Sequence, residues 1–306
     1  MTFTHLAEPI PITEHNWPEG TIPLVTTKTI TYMHEKYIRE CIEGILMQKT
    51  TFPVQVLIHD DASTDATADI MREYERKYPK LIQCFYQKEN TYRKPNRRDL
   101  MKDYHDAVAG KYIAICEGDD YWTDPLKLQK QVEFLEANPD FSICAHNALI
   151  HYEDGEKEDS LFNPTDQKPI INTEDLIRKW SFATASIVVR RSMMKRYDDD
   201  PYLKKVYNGD LFLALMMSLE GPIYYMPGLM SVYRRFNLQR YIGKESYIIR
   251  KRIELLKVFD ETSELKYHKG IKTEIGILKR SLVLQTIYMR FPKLKKLYQR
   301  LKNAVR

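Results

Sequence analysis

Short apolar and β-branched segments alternate with amphipathic segments along the first half of this 306-residue chain. This alternation constrains the fold strongly, because strands followed by helices at this spacing are typical of a mostly parallel sheet with right-handed crossovers. Four segments have the character of buried strands, and the first three are each followed by a segment with helical periodicity. The predicted strands are residues 24–32, 54–58, 81–87 and 112–116, and the predicted helices are residues 34–49, 66–78 and 96–108.

The second half of the chain contains the same kinds of segment in a less regular order. We predict helices over residues 127–137 and 210–220, strands over residues 141–148, 185–190, 223–226 and 229–234, and an acidic loop over residues 153–159. From residue 243 onward the periodicity is helical only. The sequence therefore predicts a leader over residues 1–22, an α/β domain over residues 23–242 with halves 23–124 and 125–242, and a helical extension over residues 243–306.

Composition limits the class of protein. Hydrophobic residues make up 43% of the chain, which supplies a sizeable core, yet no apolar run approaches the roughly 20 residues that cross a bilayer. The N-terminal residues lack a basic region followed by an apolar one, so no secretory signal is expected and a cytoplasmic location is predicted. The four cysteines are far apart among apolar neighbours, which predicts reduced core thiols.

Basic residues are concentrated near the C-terminal end of the chain. Residues 266–306 contain 12 Lys and Arg residues and one acidic residue, whereas the remainder has more acidic than basic residues. Nucleic acid is therefore not expected as a partner. Residues 291–306 place apolar residues at helical spacing among lysines and arginines, a pattern that fits both peripheral contact with an anionic membrane, on the inner face of the cell membrane, and packing on the domain.

Polar residues follow three of the predicted strands. The carboxyl ends of parallel strands meet at one edge of a sheet, and ligands bind at that edge. We therefore expect these polar residues to converge. They are Thr31 and Tyr32, then Asp60 and Asp61, then Glu117, Gly118, Asp119 and Asp120.

The turn over residues 117–120 contains three carboxylates in four residues. Carboxylates this close repel one another unless a cation holds them, and hard oxygen ligands suit Mg²⁺ or Mn²⁺ bound to a diphosphate. An acidic turn that caps the helix after Pro125 would have the same composition, so both interpretations stay open on the residues alone.

The segment HDDASTD at residues 59–65 also follows a strand. Asp60 and Asp61 can accept hydrogen bonds from a base or a ribose, whereas a capping turn accounts well for residues 63–65 and poorly for the two acids. The chain has neither a GxGxxG nor a GxxxxGK[ST] motif, so neither a dinucleotide site nor a P-loop is supported. His59, His105 and His146 lack the spacing of metal ligands.

Four segments resemble the family-two inverting glycosyltransferases of GT-A fold, especially bacterial enzymes of surface-polysaccharide assembly. They are TYMHEKYI, VQVLIHDDASTD, KYIAICEGDDYWTDPLKLQKQVEFLE and GDLFLALMMSLEGPIYYMPGLMSVYR, in this order. The resemblance covers about residues 23–235. It implies a mostly parallel, mixed α/β sheet flanked by helices, and Mn²⁺ or Mg²⁺ as cofactor. The donor that it implies is a nucleotide-sugar, with UDP-sugars as the first candidates and a dTDP-sugar as the second.

The resemblance also assigns roles on the donor side. The positions that contact the base and ribose in the family are occupied here by Thr31, Tyr32, Asp60 and Asp61. The family's DxD element, which holds the donor diphosphate through the metal, reads Glu117-Gly118-Asp119 here. Asp119 thus takes the usual metal-ligand position, and Glu117 replaces the first Asp.

The general base of the family corresponds to Asp210, which follows Gly209 at the start of a helix. Inversion needs one carboxylate to accept the acceptor's proton and a cation to stabilise the departing diphosphate. A Gly-Asp pair before an apolar helix would also serve as an N-cap. We favour the base because Asp210 follows the other motifs in the family's order.

Two departures from the family bear on the donor phosphates. Met33 stands where Asn is frequent, and Phe236 stands where a His is common. Candidates to replace the missing contacts are Arg234, Arg235 and Arg240.

Further candidate contacts lie in loops. Asn90 and Arg97 are candidates for the donor, although a solvated basic loop explains them equally well. On the acceptor side the candidates are Asp120 and Trp122, where the Trp122 ring is either a stacking floor for a sugar or a core residue.

The sequence thus predicts a glycosyltransferase that moves a hexosyl or N-acetylhexosaminyl group from a nucleotide-sugar to a hydroxyl of a glycan or lipid-linked acceptor, in polysaccharide, lipopolysaccharide or other glycan assembly. One alternative is a sugar nucleotidyltransferase, although the Gly-rich phosphate loop typical of such enzymes is absent from this sequence. A second is a non-catalytic sugar-, nucleotide- or membrane-binding protein that retains the fold, for which Glu117 in place of Asp is the main support.

Overall fold

The computed structural model describes residues 3–92, 94, 96–155, 157–203, 206, 209–236 and 245–290, without the side chains of residues 245, 286 and 288–290. In the N-terminal half, β-branched segments form strands and amphipathic segments form helices, as their periodicities predict. The elements are β1 (Ile10–Pro11), β2 (Val25–Thr31), α1 (Ile38–Leu46), β3 (Lys49–Thr50), β4 (Val54–Asp60), α2 (Thr67–Lys77), β5 (Ile82–Tyr86), α3 (Arg97–Leu100), α4 (Lys102–Asp106), β6 (Tyr112–Ile115) and β7 (Tyr121–Trp122).

The C-terminal half begins with a helix whose bounds match the prediction and continues into longer strands. Its elements are α5 (Lys127–Ala137), β8 (Ile143–Tyr152), β9 (Ser160–Leu161), β10 (Ile170–Ile171), α6 (Thr173–Arg178), β11 (Val188–Arg190), α7 (Lys195–Asp198), α8 (Gly209–Glu220), β12 (Ile223–Arg235), α9 (Glu245–Thr262) and α10 (His268–Arg290). The predicted helix at residues 291–306 and Arg240 lie outside the described residues.

A mixed ten-stranded sheet, counted over the described residues, forms the centre of the molecule. Its order is β10-β12-β8-β11-β6-β2-β4-β5, with β7 paired to β12 and β9 to β8. Strands β6, β2, β4 and β5 are parallel neighbours, and β11 runs antiparallel between β6 and β8. The predicted α/β class with a mostly parallel, mixed sheet is confirmed.

Three local predictions differ from the structure. The predicted helix over residues 96–108 is broken at Met101 into α3 and α4. The two strands predicted at 223–226 and 229–234 are one irregular strand, β12. The Pro-Gly pair after Met226 causes a shift in the register against β8 and does not end the strand. The first part of the strand predicted at 185–190 is a 3₁₀ turn, Thr184–Ser186.

The sheet buries apolar side chains on both faces, because alternate residues of a strand point to opposite sides. On one face α1, α2 and α5 pack against residues such as Val56 and Ala114. On the other face α4 covers Leu57 and Ile113, while α6, α8 and α9 cover the C-terminal strands. All four cysteines are free; Cys41, Cys116 and Cys144 are buried, as predicted for core thiols, whereas Cys84 is half-buried.

The two ends of the described chain pack on this core. In the predicted leader, Ile12 is buried and β1 pairs antiparallel with β3. In the helical extension, α9 and α10 contribute Leu256, Phe259 and Ile271 to the core of the C-terminal half. Within the ranges that the structure describes, no helix is both long and apolar enough to cross a membrane.

Candidate functional site

The carboxyl ends of β2, β4 and β6 meet at one edge of the sheet. The Asp61 amide donates to the Thr31 carbonyl at 2.9 Å, and the Gly118 amide donates to the Ile30 carbonyl at 3.0 Å. A Cβ atom at Gly118 would lie 2.6 Å from Thr31 Oγ1, so only glycine allows the acidic turn to approach β2 this closely. The predicted convergence of the three polar segments is therefore confirmed.

Asp60 and Asp61 are each 2% exposed, and their carboxylates are hydrogen-bonded within this edge. Asp60 accepts from the Ser63 amide at 3.1 Å and from the Ser63 hydroxyl, and Asp61 accepts from the Thr91 amide at 2.8 Å. The turn after β4 thus accounts for Asp60, contrary to our expectation, whereas Asp61 is bound by Thr91 from the loop after β5, 30 residues along the chain. Burial raises the pKa of Asp60, against the lowering effect of the Ser63 hydrogen bonds.

The loop that follows β2 is the exposed part of this edge. Tyr32 is 45% exposed. The backbone of Met33 has a φ of 58°, a left-handed conformation that residues other than Gly rarely adopt. The Met33 amide donates to Ser63 Oγ at 2.9 Å, which holds the strained loop against the β4 turn. Strained backbone of this kind is concentrated at functional sites.

Four carboxylates influence one another beside this edge: Glu117, Asp119, Asp120 and Asp210. Burial, followed by repulsion from the neighbouring acids, raises the pKa of Glu117 well above its ordinary value. The pKa of Asp120 is raised by the same two causes, and Asp120 Oδ2 is buried without a hydrogen-bond partner in the described residues. This cluster is therefore electrostatically unsatisfied, in contrast to Asp60 and Asp61.

Arg234 of β12 holds the acidic turn in place. Its guanidinium donates to the Asp119 carbonyl at 2.8 Å and pairs with Glu153 at 2.6 Å and with Glu40. Its backbone amide donates to Asp120 Oδ1 at 2.9 Å. Because these partners engage the buried guanidinium, Arg234 positions the turn and is not available as the phosphate contact that the sequence suggested.

The donor set suits a divalent cation that also binds a diphosphate. The Asp119 side chain is 28% exposed, and its carboxylate lies 3.9 Å from His34 Nε2. Among the described residues no group of three or more His, Cys, Asp or Glu side chains could enclose a metal ion. The exposed Asp119 carboxylate fits Mg²⁺ or Mn²⁺, which proteins commonly bind through one or two carboxylates while substrate phosphates and water supply the other ligands.

A cavity of about 410 Å³ opens beside the acidic turn. Glu117, Thr184 and Asp210 line one part of it, and Lys28 and Arg97 line another. A more open depression of about 610 Å³ lies by Leu24 and Gly110, at the amino ends of the parallel strands, and is lined mainly by apolar residues. The smaller cavity is the candidate site, because it joins the ligand-binding edge of the sheet to titratable side chains.

Asp210 lies in the first turn of α8, and its carboxylate faces the cavity. The Thr184 hydroxyl donates to Asp210 Oδ2 at 2.9 Å. Burial raises the pKa of Asp210, while the Thr184 hydrogen bond and the charge of Arg97 lower it. A carboxylate with a raised pKa beside a cavity has the chemistry of a proton acceptor.

The sequence of this chain matches a known protein family. The profile described as Glycosyl transferase family 2 matches residues 29–203. This chain belongs to glycosyl transferase family 2. The Mycobacterium tuberculosis protein Rv1520 is 42% identical over 207 residues, which are 68% of this chain and 57% of that protein. The chain therefore spans less than two thirds of the length of this relative.

More distant matches agree with the family and the fold. The putative teichuronic acid biosynthesis glycosyltransferase TuaG of Bacillus subtilis is 27% identical over 177 residues, or 58% of this chain and 64% of TuaG. The crystal structure of Staphylococcus aureus TarS 1–349 with UDP matches with a TM-score of 0.52 at 16% identity, over 80% of this chain and 72% of that one. The structure of the mannosyltransferase PcManGT of Pyrobaculum calidifontis, in complex with GDP-Man and Mn²⁺, matches with a TM-score of 0.58 at 14% identity. The match covers 97% of this chain and 83% of PcManGT. The fold is GT-A-like, as the resemblance implied.

Two residues predicted on the acceptor side of this family 2 chain lie in its interior. Trp122 is 1% exposed, and its indole N–H donates to the Ala185 carbonyl at 2.8 Å, so it is a core residue and not a stacking floor. Asp120 is also 1% exposed, and its hydrogen-bonded oxygen serves Arg234. Neither side chain can contact an acceptor in this structure, which favours the core alternative for Trp122 and corrects the acceptor-side prediction for Asp120.

Of the two candidate donor contacts in loops, Asn90 is bound to neighbouring loop residues and Arg97 lines the cavity. Asn90 donates to the Asp61 carbonyl at 3.1 Å and accepts from the Tyr92 amide, so its side chain shapes the loop. Arg97, in contrast, lines the cavity. Phe236 packs against Tyr37, with ring centroids 4.9 Å apart.

Three residues of the candidate site were not predicted from the sequence: Lys28, His34 and Thr184. A lysine within the β-branched run TTKTI was a usable signal, because unpaired charges are rarely placed inside a central strand. His34 follows the Thr-Tyr motif directly, yet only the fold shows that it faces Asp119. Thr184 had no local signal, since its role depends on contact with Asp210 from another segment.

Proposed function

We propose that this protein transfers a hexosyl or N-acetylhexosaminyl group from a UDP-sugar to a hydroxyl of a glycan or lipid-linked acceptor, with inversion at the anomeric carbon. The observation that carries the proposal is that Asp210 and Glu117 line one cavity beside the Asp119 turn. Solved structures of TarS with UDP and with UDP-GlcNAc, and of PcManGT with GDP-Man and Mn²⁺, support a nucleotide-sugar donor.

In the proposed reaction, Asp210 accepts the proton of the acceptor hydroxyl while the hydroxyl oxygen forms a bond to the anomeric carbon. The bond between that carbon and the diphosphate oxygen breaks, and its electron pair leaves with the nucleoside diphosphate. The attack comes from the face opposite the leaving group, so the anomeric configuration inverts. Asp210 suits this role because its raised pKa makes it a stronger base than an ordinary Asp.

The leaving group requires stabilisation of negative charge. We propose that Asp119, with Glu117, holds Mn²⁺ or Mg²⁺, and that Thr31, Tyr32, Asp60 and Asp61 form the wall against which the nucleoside lies. A bound divalent cation neutralises charge on the departing diphosphate. Arg234 holds the Asp119 backbone at the proposed metal site through its hydrogen bond to the Asp119 carbonyl.

Bacterial surface-polysaccharide assembly is the proposed setting. Its support is the similarity to TuaG, which is named as a putative glycosyltransferase of teichuronic acid biosynthesis. The domain arrangement proposed is the α/β domain of residues 23–242, preceded by residues 1–22 and followed by the helical extension over residues 243–306.

Hydrolysis of the donor tests the proposed reaction. We expect the protein to release UDP from UDP-glucose or UDP-N-acetylglucosamine in the presence of Mn²⁺ and to lose this activity in excess chelator. Formation of a UDP-sugar from UTP and a sugar 1-phosphate would instead identify a nucleotidyltransferase. Binding of UDP-sugars with no turnover in the presence of varied sugar acceptors would favour a non-catalytic protein.

Peripheral contact with an anionic membrane is a further part of this proposal. Helix α10 exposes Ile277, Val283 and Leu284, at 54%, 59% and 43%, beside basic residues of the same helix. Apolar and basic side chains together favour binding at an anionic lipid surface. We expect Ile277→Ser with Leu284→Ser to reduce co-sedimentation with phosphatidylglycerol vesicles at low salt, whereas Ile22→Ser, at an equally exposed residue, leaves it unchanged. Equal binding by all variants would assign α10 no role at the membrane.

A further inference from the structure

One part of the wall of the candidate cavity is rich in cations. Lys28, Arg97 and Arg98 line this wall together with His105. Lys28 lies in the middle of β2, three residues before Thr31. At about 3.3 Å per residue, its backbone is about 10 Å from the strand end where the acidic turn lies. The cations are thus set back from the edge of the sheet.

Lys28 is a half-buried cation with few partners. Its ammonium lies 3.1 Å from His105 Nδ1 and 4.6 Å from the centre of the Tyr104 ring. Burial, followed by the charges of Lys28 and Arg98, lowers the pKa of His105 to about 3, so its neutral ring accepts the hydrogen bond from Lys28. Burial also lowers the pKa of Lys28, to about 8, which leaves the ammonium charged at neutral pH.

Two cations of this wall are paired with carboxylates, and two are not, within the part of the chain that the structure describes. Arg98 pairs with Asp198 at 2.9 Å, and Lys94 pairs with Glu89 at 2.6 Å. Among the described residues no carboxylate lies within 4.0 Å of the Lys28 ammonium or the Arg97 guanidinium. Arg97 Nε is also buried without a hydrogen-bond partner. Two half-buried cations thus line the cavity without a carboxylate partner among the described residues, so this wall can bind an anion.

Lys28 lies away from the acidic turn at which the diphosphate and its metal are proposed to bind, so the anion on this wall is another group of the substrate. Asp198 is the carboxylate that attracts Lys28, and it is already paired with Arg98 at 2.9 Å. A carboxylate suits Lys28 and Arg97 together, because its two oxygens can bridge an ammonium and a guanidinium.

We propose that the cavity binds a sugar that bears a carboxylate, with the carboxylate held by Lys28 and Arg97 while the reacting end of the sugar faces Glu117 and Asp210. This inference rests on the proposed function and specifies its substrate class. The carboxylate belongs either to the transferred sugar of the donor or to the acceptor sugar, since both must meet at Asp210. Recognition is the same in the two cases, because it depends on the charge and not on which sugar is transferred.

Binding measurements distinguish the two sources. In the donor arm, the dissociation constants of UDP, UDP-glucose and UDP-glucuronate are measured by calorimetry with Mn²⁺. In the acceptor arm, methyl glucoside and methyl glucuronide are titrated into the protein saturated with UDP and Mn²⁺. We expect the wild type to prefer the carboxylate-bearing ligand at least tenfold in one arm.

Variants connect this preference to the cavity. Lys28→Met keeps the length of the side chain and removes a half-buried charge, so the fold is retained. We expect it to abolish the tenfold preference and to change the dissociation constant of UDP less than twofold. Arg97→Gln is expected to weaken the same preference, and Lys77→Met, at a lysine in the last turn of α2, serves as the matched control.

Three results would overturn the inference. They are the absence of any preference in both arms, a preference that survives Lys28→Met, and a loss of UDP affinity in Lys28→Met as large as the loss for the glucuronate ligand. The last result would assign Lys28 to the diphosphate. A wild-type protein that binds neither UDP nor any UDP-sugar with Mn²⁺ would contradict the proposed function itself, which separates the two failures.

Discussion

Two acidic clusters lie at the same edge of the sheet, and they differ in how their carboxylates are satisfied. Asp60 and Asp61 accept hydrogen bonds from Ser63 and Thr91, all within the loops that follow β4 and β5. Burial and neighbouring acids raise the pKa of Glu117 and Asp120 well above their ordinary values, and Asp120 Oδ2 has no hydrogen-bond partner among the described residues. At Asp60, hydrogen bonds from Ser63 oppose the rise in pKa that burial causes. The first cluster is complete without a ligand, and the second is not.

The comparison separates structural acids from acids that await a partner. Hydrogen bonds from amides and hydroxyls stabilise a buried carboxylate at low cost, so Asp60 and Asp61 can maintain the shape of the edge. Crowded carboxylates with raised pKa values are typical of functional sites. Composition alone does not separate the two clusters, since each contains an Asp pair after a strand.

The largest expected effect concerns the unsatisfied cluster and its neighbour Asp210. Asp210→Asn keeps the size of the side chain but cannot accept a proton. We expect kcat for sugar transfer to fall by about 10² to 10⁴, with the dissociation constant of the UDP-sugar little changed. Asp69→Asn, at an exposed acid of α2, is the control. Wild-type turnover by a folded Asp210→Asn protein would restrict Asp210 to capping α8.

A smaller effect is expected for metal binding. Asp119→Ala removes the exposed carboxylate of the acidic turn, and we expect Mn²⁺-dependent affinity for UDP to fall by about 10- to 100-fold in titration calorimetry. Glu40→Gln, which alters a partner of Arg234 on the far side of the turn, provides a comparison. Unchanged UDP affinity in Asp119→Ala would exclude Asp119 as a metal ligand and weaken the contrast between the clusters.

Thr184 tests the pKa of the base. Its hydrogen bond stabilises the charged form of Asp210 and lowers the pKa, so Thr184→Val should raise that pKa further. Because the base acts only when deprotonated, activity is lost as the pH falls through this value. We expect the acid limb of the kcat profile to move up by about one pH unit at constant Mn²⁺. An unshifted limb in the variant would show that another group controls it.

The satisfied cluster predicts an effect on stability. Asp61→Ala leaves the buried Thr91 amide and hydroxyl without their acceptor, and we expect the free energy of unfolding to fall by about 1–3 kcal/mol in urea titration. Asp69→Ala, on the surface, should stay within about 0.5 kcal/mol of the wild type. A loss of UDP affinity in the folded Asp61→Ala protein, with stability unchanged, would reverse the roles given to the clusters.

Features set by local pattern were predictable from the sequence. The β–α alternation gave the parallel part of the sheet, and the ends of β2, β4 and β6 then had to meet at one edge, which brought Thr31, Asp61 and Gly118 together. The bounds of α5 were also predicted correctly, since an uninterrupted amphipathic segment precedes the loop at Asn138.

Features that depend on distant segments were not predictable. Asp120 resembled an exposed acid because its partner, the Arg234 amide, is 114 residues away. Trp122 was ambiguous, since its burial depends on the Ala185 carbonyl. The cavity joins Lys28, Thr184 and Asp210 from three separate parts of the chain, and no spacing in the sequence indicates that they meet.

The bond between Arg234 and the acidic turn has a consequence for the order in which the protein acquires its site. The guanidinium and the Asp119 carbonyl are 115 residues apart, and Arg234 lies beyond the segment 29–203 that the family profile matches. Contacts between such distant residues form late, because a long loop must first close. During synthesis the turn therefore leaves the ribosome well before β12 exists to fasten it. A nascent chain can build the parallel strands early, but metal-binding competence should arise only after residue 234 has emerged and docked.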